Sequence, residues 1–364
     1  MTYIHTARLT NGIEAQFAAL SPTTAPVCEK SRELATSLAY AVGTQGATPE
    51  LGELLATHAF FGEVDLRLGT VHPVRGLVPM IEAVIAHGGP SIVVVPRGQA
   101  HEVRHLSGHA VDRKRGIGLT VLLASTRGEV LSYLWGAGRL GSALDVPPRP
   151  APRSTDVPVL EDIRGHEEAK ATFRAAMEAR QNVLFVGSPG SGKTMFARRA
   201  AGLLAPRTFA EIDLGRSIAS AAGLPAPSLR PFRAPHHTAS MQGVIGGGIP
   251  TARPGEITLA HTGVLFLDEI LEFRRDVLDA VFTAQATGVV RFGRGGKIVT
   301  MPAQPVIVAA TSPCPCGFVG DPQRVCKCSA SYCERWDANL ANLRKWFPVR
   351  IDLPRVASRD FARV

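Results

Sequence analysis

Residues 187–194 read Gly187-Ser188-Pro189-Gly190-Ser191-Gly192-Lys193-Thr194, a complete G-x-x-x-x-G-K-[ST] sequence. An apolar run, Val183-Leu184-Phe185-Val186, precedes it, and a helix-like stretch from Lys193 through Leu204 follows. This order, strand then loop then helix, is the context such a loop needs. Its glycines let the backbone curl so that successive N–H groups point at a phosphate, aided by the positive end of the helix. Lys193 is placed to reach the β- and γ-phosphates and the Thr194 hydroxyl to ligate Mg²⁺. A Gly-rich turn without a ligand is the competing reading, and the flanking elements disfavour it.

A second apolar run, Val264-Leu265-Phe266-Leu267, ends in Asp268-Glu269, 75 residues beyond Lys193. Buried strands that release an acidic pair at their C-terminal edge suit a nucleotide site. Asp268 would hold Mg²⁺ through water, and Glu269 would orient and polarise the attacking water. Taken with the loop, the pair argues for hydrolysis rather than nucleotide binding alone. A third run, Pro305–Ala310, ends in Thr311-Ser312-Pro313. Apolar strands alternating with helices describe an open parallel α/β sheet, whose ligands gather at the C-terminal strand ends.

A chain of 364 residues accommodates two ordinary cores. The boundary falls at Val146-Pro147-Pro148-Arg149-Pro150-Ala151-Pro152-Arg153-Ser154, with four prolines in nine residues, which reads as an extended linker. Before it the pattern is α+β: Glu29 through Val42 is helix-like, while Ser91–Pro96 and Gly116–Ala124 read as strands. After it, Glu161 through Arg180 reads as helix.

The charge is uneven. Residues 1–150 hold 13 Lys/Arg against 12 Asp/Glu, and residues 151–364 hold 27 against 19, so the nucleotide-binding half carries net +8. A polyanionic partner such as DNA or RNA accounts for that, and an Arg-rich, high-GC composition accounts for it equally well. No apolar stretch is long enough to span a bilayer, and Met1–His5 lacks the features of a signal peptide, so a cytoplasmic protein without membrane contact is expected.

Arg230-Pro231-Phe232-Arg233-Ala234-Pro235-His236-His237-Thr238, then Gly246-Gly247-Gly248 and Arg253-Pro254-Gly255-Glu256, read as exposed loops touching a partner or a neighbouring subunit. His236 and His237, adjacent and without a third ligand nearby, are expected to point apart. A structural insertion is the alternative. Cys314, Cys316, Cys326 and Cys328 follow C-x-C-x₉-C-x-C, with Cys333 just beyond. Two thiolate pairs across a loop would close a structural tetrahedral Zn²⁺ site, while reduced cysteines under a loop are the alternative. Arg350 is a candidate arginine finger.

Together these segments resemble the magnesium-chelatase-like branch of the AAA+ ATPases, in its ComM/YifB competence group. The resemblance rests on RPFRAPHHT, GGG…RPGEITLAHTGVLFLDEILEFRRDVLDA, CPCGF…GDP…CKC and, in the first half, FGEVDLRLGTVHPVRGLVP at 61–79. It implies an AAA+ parallel sheet flanked by helices at 156–364, a linker at 146–155, and a Lon-protease-like α+β domain at 1–145. It further implies a hexameric, ATP- and Mg²⁺-dependent motor acting on DNA, associated with branch migration during recombination in natural transformation. ATP would sit between subunits, with Lys193, Thr194, Asp268 and Glu269 from one and Arg350 from the next, and loops 230–256 near the central channel.

This sequence departs from the family pattern in places. Ser312 stands where Asn is usual, in AAMNPCPCG, and Arg344–Arg350 replaces SGPLLDR. The first domain is short between Gly43 and Leu51 and shows no protease Ser–Lys pair, so proteolysis is not expected. The chain stops at Val364, where the family continues into a helical lid. Two other readings therefore stay open: a chelatase-type motor subunit, and a nucleotide-binding scaffold without turnover.

Overall fold

A computed structural model of the chain describes residues 3–8, 14–19, 29–45, 49–86, 90–112, 117–148, 158–248, 252–294, 297–321 and 323–355. From residue 149 to 157 the expected linker lies outside the described residues.

The first half is built on four strands, β1 (His58–Phe60), β2 (Ile92–Pro96), β3 (Thr120–Ala124) and β4 (Gly141–Ser142), in the order β4-β3-β2-β1. β1, β2 and β3 are parallel, and β4 closes the edge antiparallel. The helices are α1 (Glu33–Gln45), α2 (Pro49–Ala56), α3 (Leu77–Ala86) and α4 (Arg127–Leu134). Side chains alternate across a strand, so Val93, Val95, Val121 and Leu123 pack with α3, while Phe60 and Val94 pack with Leu34, Leu38 and Val42 of α1. Leu34 and Leu38 belong to the helical stripe expected from sequence, and Val42 extends it at i, i+4, i+8 spacing.

The run Gly116–Ala124, expected as one strand, divides at Leu119. Its N–H bonds His109 O, and its carbonyl accepts from Gly108. Ile117–Gly118 pairs with Ala110–Asp112, and only Thr120–Ala124 enters the main sheet. A change of hydrogen-bond partner, invisible in an apolar run, makes the break.

The second half holds α5 (Glu167–Glu178), β5 (Val183–Val186), α6 (Lys193–Ala197), α7 (Phe209–Ala222), β6 (Phe232–Arg233), β7 (Val264–Leu267), α8 (Arg275–Thr287), β8 (Val306–Thr311), α9 (Ala330–Leu343) and β9 (Val349–Asp352). Five parallel strands lie in the order β6-β7-β8-β5-β9. β5, β7 and β8 are buried at every residue, as a sheet covered on both faces requires. Val183, Phe185, Val264, Phe266, Val308 and Ala310 face Phe173, Met177 and Phe196. Leu184, Val186, Leu265, Leu267, Ile307 and Ala309 face Val281, Phe282, Leu340 and Phe347.

Two expectations change here. The helix expected over Lys193–Leu204 breaks after Ala197: Arg199 N–H bonds Phe196 O and Gly202 N–H bonds Arg199 O, the tighter i→i−3 pattern. The Arg199 guanidinium also takes Met195 O at 2.8 Å. The segment 230–256, expected as exposed loops, contributes an edge strand to the sheet and buried residues to the core. Phe232–Arg233 pairs with Val264–Leu265, Val244 and Ala252 are buried, and Arg233 makes a two-bond pair with Glu256 at 2.6 and 2.8 Å.

The halves meet at α3 and α7. Thr208 and Glu211 form a reciprocal capping box that starts α7. Near its other end Ser220 Oγ accepts from Val78 N–H at 3.0 Å, Ser220 O accepts from Gly76 N–H at 2.8 Å, and Ser217 Oγ donates to Glu82 at 2.9 Å.

Candidate active site

β5 emerges between β8 and β9, where the strand order reverses, and the loop 187–194 leaves it there. Gly187 is wedged: its N–H bonds Thr311 O at 3.2 Å, and a β-carbon would collide with Leu353 O and fall 2.6 Å from Ser191 Oγ. Gly190 and Gly192 adopt φ +80° and +98°, left-handed backbone that glycine takes without steric penalty. Among the described residues nothing lies within 4 Å of where their β-carbons would be, so the loop is open at both glycines. Ser191 Oγ is buried with no hydrogen-bond partner among the described residues.

Lys193 is 6 % exposed and its ammonium donates to Gly187 O at 2.7 Å and Ser188 O at 3.2 Å. Two of its three protons are used on the loop, leaving one for a phosphate oxygen. Burial lowers its pKa, with Glu269 and Asp268 acting against the shift. The open glycine cradle, the orphaned serine hydroxyl and the buried ammonium together fit a triphosphate.

Thr194 Oγ1 donates to Asp268 Oδ2 at 3.3 Å. A hydroxyl and a carboxylate that close suit a hard, octahedral cation such as Mg²⁺. Next to it, Glu269 sits in left-handed backbone at φ 51°, ψ 55°, a conformation that costs a non-glycine residue of order 1 kcal/mol and is found mostly at functional sites. The buried Ile270 that follows holds it in place. Burial raises the Glu269 pKa, Lys193 opposes that, and the backbone N–H of Ser312 is near enough to favour the charged form. Ser312 thus approaches Glu269 through its main chain. Its carbonyl is held by Thr311 Oγ1 at 3.3 Å and Trp336 Nε1 at 2.9 Å.

Arg350 lies on β9, beside Leu184, with its guanidinium turned onto Asp352 at 2.7 and 3.1 Å. Among the described residues it makes no contact with the loop of its own chain. His236 and His237 do not point apart as expected: their rings lie 4.0 Å between centroids, and His236 Nδ1 meets Thr238 Oγ1 at 2.8 Å.

The cysteines converge. Cys314, Cys316, Cys326 and Cys328 bring their sulfurs within 4.8 Å of one another, with Cys314–Cys316 at 3.4 Å, Cys314–Cys326 at 3.7 Å and Cys316–Cys326 at 3.5 Å. Four thiolates at about 2.3 Å from a tetrahedral Zn²⁺ would stand about 3.8 Å apart, so the cluster fits that ion. The Lys327 N–H lowers the Cys316 pKa to about 6, while burial raises that of Cys314 and pushes that of Cys328 up to about 12.

The contacts of three residues in this region were not foreseen from sequence. Gly317 (φ +84°) lies against Pro189 of the phosphate loop. Arg355 donates to Pro189 O at 3.1 Å and pairs with Asp321 at 3.7 Å, and the Asp321 side chain is fully covered. The only signal was that Gly320-Asp321-Pro322 belongs to a recognisable segment.

Comparison with known proteins agrees with this architecture. The magnesium chelatase family, subunit ChlI, matches residues 159–360. A Mycobacterium tuberculosis protein is 34% identical over 354 residues, 94% of this chain and 66% of that protein. Competence protein ComM of Haemophilus influenzae is 33% identical over 321 residues, covering 83% of this chain and 60% of ComM. YifB of Escherichia coli is 41% identical over 163 residues, 43% of this chain and 32% of YifB. The chain therefore spans just under two thirds of the length of such relatives. Shorter stretches align with Lon proteases. No helix among the described residues is long and apolar enough to cross a membrane. The chain belongs to the magnesium-chelatase-like family of AAA+ proteins, in company with ComM and YifB, its parallel sheet preceded by a Lon-like α+β unit.

Proposed function

We propose that the chain is the ATP-hydrolysing core of a Mg²⁺-dependent motor that assembles as a hexameric ring and acts on DNA during recombination. The observation that carries this reading is the approach of Thr194 Oγ1 to Asp268 Oδ2, 3.3 Å, beside a buried Lys193 at the C-terminal edge of a parallel sheet. The loop amides and Lys193 hold the β- and γ-phosphates. Thr194 and Asp268 hold the cation, which when bound neutralises charge developing on the phosphates. Glu269 accepts the proton of the attacking water, steadied by the Ser312 amide. Arg350 serves a neighbouring subunit, and releasing it from Asp352 belongs to assembly. The division into a Lon-like unit over 1–145, a linker over 146–155 and an ATPase unit over 156–364 is part of the same proposal. The four cysteines hold a structural Zn²⁺.

DNA is favoured as the partner by the name of the relative ComM, a competence protein, and the net +8 of residues 151–364 is compatible with it. A chelatase motor subunit would share the same core. Steady-state ATP hydrolysis with and without DNA separates the two, using Glu269→Gln as control. DNA-stimulated turnover that the variant lacks is expected. If wild type and variant are equally inert while both bind ATP, the motor reading fails and a scaffold remains.

A further inference from the structure

The junction between the two halves encloses a cleft of about 700 Å³, walled by 73–75 and 98–105 on one side and by α7 with 223–228 on the other. Four half-buried arginines line it: Arg75, Arg104, Arg207 and Arg216. Side chains in that state are built into a wall rather than waving in solvent. Arg216 alone has a carboxylate partner, Asp213 at 2.8 Å. Arg104 donates Nε to Val146 O at 2.8 Å, and Arg207 donates to Pro227 O and Ser228 O at 2.9 and 2.8 Å. Arg75 has no hydrogen bond or ion pair among the described residues, yet its stem is seated against Gly223 across the junction.

The cleft is short of negative charge. Glu102, the carboxyl in its lining, takes Gln99 Nε2 at 2.7 Å, and burial raises its pKa. Arg207 is held below its usual pKa by burial and by the neighbouring Arg230 and Arg216, with Glu211 acting against the shift. His105, also in the lining, has a buried Nε2 with no hydrogen-bond partner among the described residues. Guanidinium forks match phosphate oxygens in geometry as well as charge. Among the described residues the lining contains no Phe, Tyr or Trp on which a base would stack, so the wall reads backbone and not base. A single strand bends into such a cleft where a stiff duplex does not.

We infer that this cleft binds the phosphodiester backbone of single-stranded nucleic acid, so that one strand touches both halves of the chain. The inference rests on the DNA reading above and adds a site to it, apart from the phosphate loop.

The test is fluorescence anisotropy of a labelled 30-nucleotide strand titrated with the full chain at 50–200 mM salt. Arg75→Gln and Arg104→Gln keep much of the side-chain stem and remove the charge. Each is expected to weaken binding about 3- to 10-fold and to flatten the slope of log K against log salt by about 0.7. Binding of a fluorescent ATP analogue should stay within 2-fold of wild type. Asp213→Asn, which frees Arg216, is expected to tighten strand binding about 2- to 3-fold, an effect that loss of folding cannot mimic. If the double arginine variant binds with wild-type affinity and slope, or if Asp213→Asn fails to tighten binding, the cleft assignment falls and the DNA reading survives. If wild type binds no strand at all, both fall. Saturable ATP binding by Lys193→Ala that Arg75→Gln removes would assign the cleft to a mononucleotide and overturn the proposal.

Discussion

Gly317, three residues past the first cysteine of the cluster, lies so close to Pro189 that a β-carbon on it would stand 2.7 Å from the proline Cδ. The cysteine loop thus forms one wall behind the phosphate loop, with Arg355 bonded to Pro189 O as a second. Gly317→Ala should therefore act on nucleotide binding. It adds a methyl where there is no room and a side chain where φ is +84°, together of order 2–3 kcal/mol. We expect Mg²⁺·ATP affinity to fall about 10-fold or more by equilibrium titration. Gly320→Ala, at φ +73° with nothing within 4 Å, should cost about 1 kcal/mol of stability and leave affinity within 2-fold. Equal affinities for the two variants would break the link between the loops.

Metal removal tests the same contact from the other side. Purified chain should contain about one Zn²⁺, measured by elemental analysis. Stripping it with a thiol-directed mercurial and chelator should lower the thermal midpoint, since binding free energy at a structural site is folding free energy. ATP affinity should weaken several-fold in parallel, because Cys314 and Cys316 anchor the loop that carries Gly317. Zinc-free protein with unchanged ATP affinity would leave the cluster as four reduced thiols.

Ser312 offers a sharper discrimination. Its backbone N–H favours the charged form of Glu269, whereas its side chain makes no hydrogen bond among the described residues. Ser312→Ala keeps that amide, so turnover should stay within about 3-fold. Ser312→Pro removes the N–H and should lower turnover about 10-fold or more, with ATP affinity less affected, an effect typical of losing one oriented donor. A large loss in Ser312→Ala would instead make the hydroxyl the active group.

The catalytic edge was legible because its chemistry is contiguous: Gly187–Thr194 follow one strand directly, and Asp268-Glu269 follow another. Apolar runs such as Val183–Val186 gave the central strands because burial on both faces leaves no polar position to confuse them. Phe232–Arg233 was missed as a strand because two residues between prolines carry no periodicity, and only the ladder to Val264–Leu265 defines them. Gly317, Asp321 and Arg355 were missed for a different reason. Gly317 and Arg355 meet Pro189 of the phosphate loop, more than 120 residues away, and Asp321 is joined to that contact through Arg355, so nothing local encodes it. The same holds for Ser220, which accepts from Val78 across the junction.

His105 gives the junction a dependence on acidity. Burial, reinforced by the charge of Arg216, lowers its pKa to about 4, while Asp213 opposes the shift and His109 adds to it. A group depressed in the folded state is neutral there between about pH 4 and 6.5, whereas the unfolded chain binds its proton below about 6.5. Its contribution is therefore present above pH 6.5 and is lost as pH falls toward 4. Between pH 7 and pH 5 this amounts to about 1–2 kcal/mol, allowing for partial exposure. Glu82 and Glu102, whose pKa values burial raises, act in the opposite sense at the acid end of the same range. The His105 contribution is thus read as a difference between wild type and His105→Gln. Urea unfolding at pH 7 and pH 5 should show the wild type losing about 1–2 kcal/mol more than the variant. Equal losses would mean that the imidazole is protonated as easily in the folded chain as in the unfolded one.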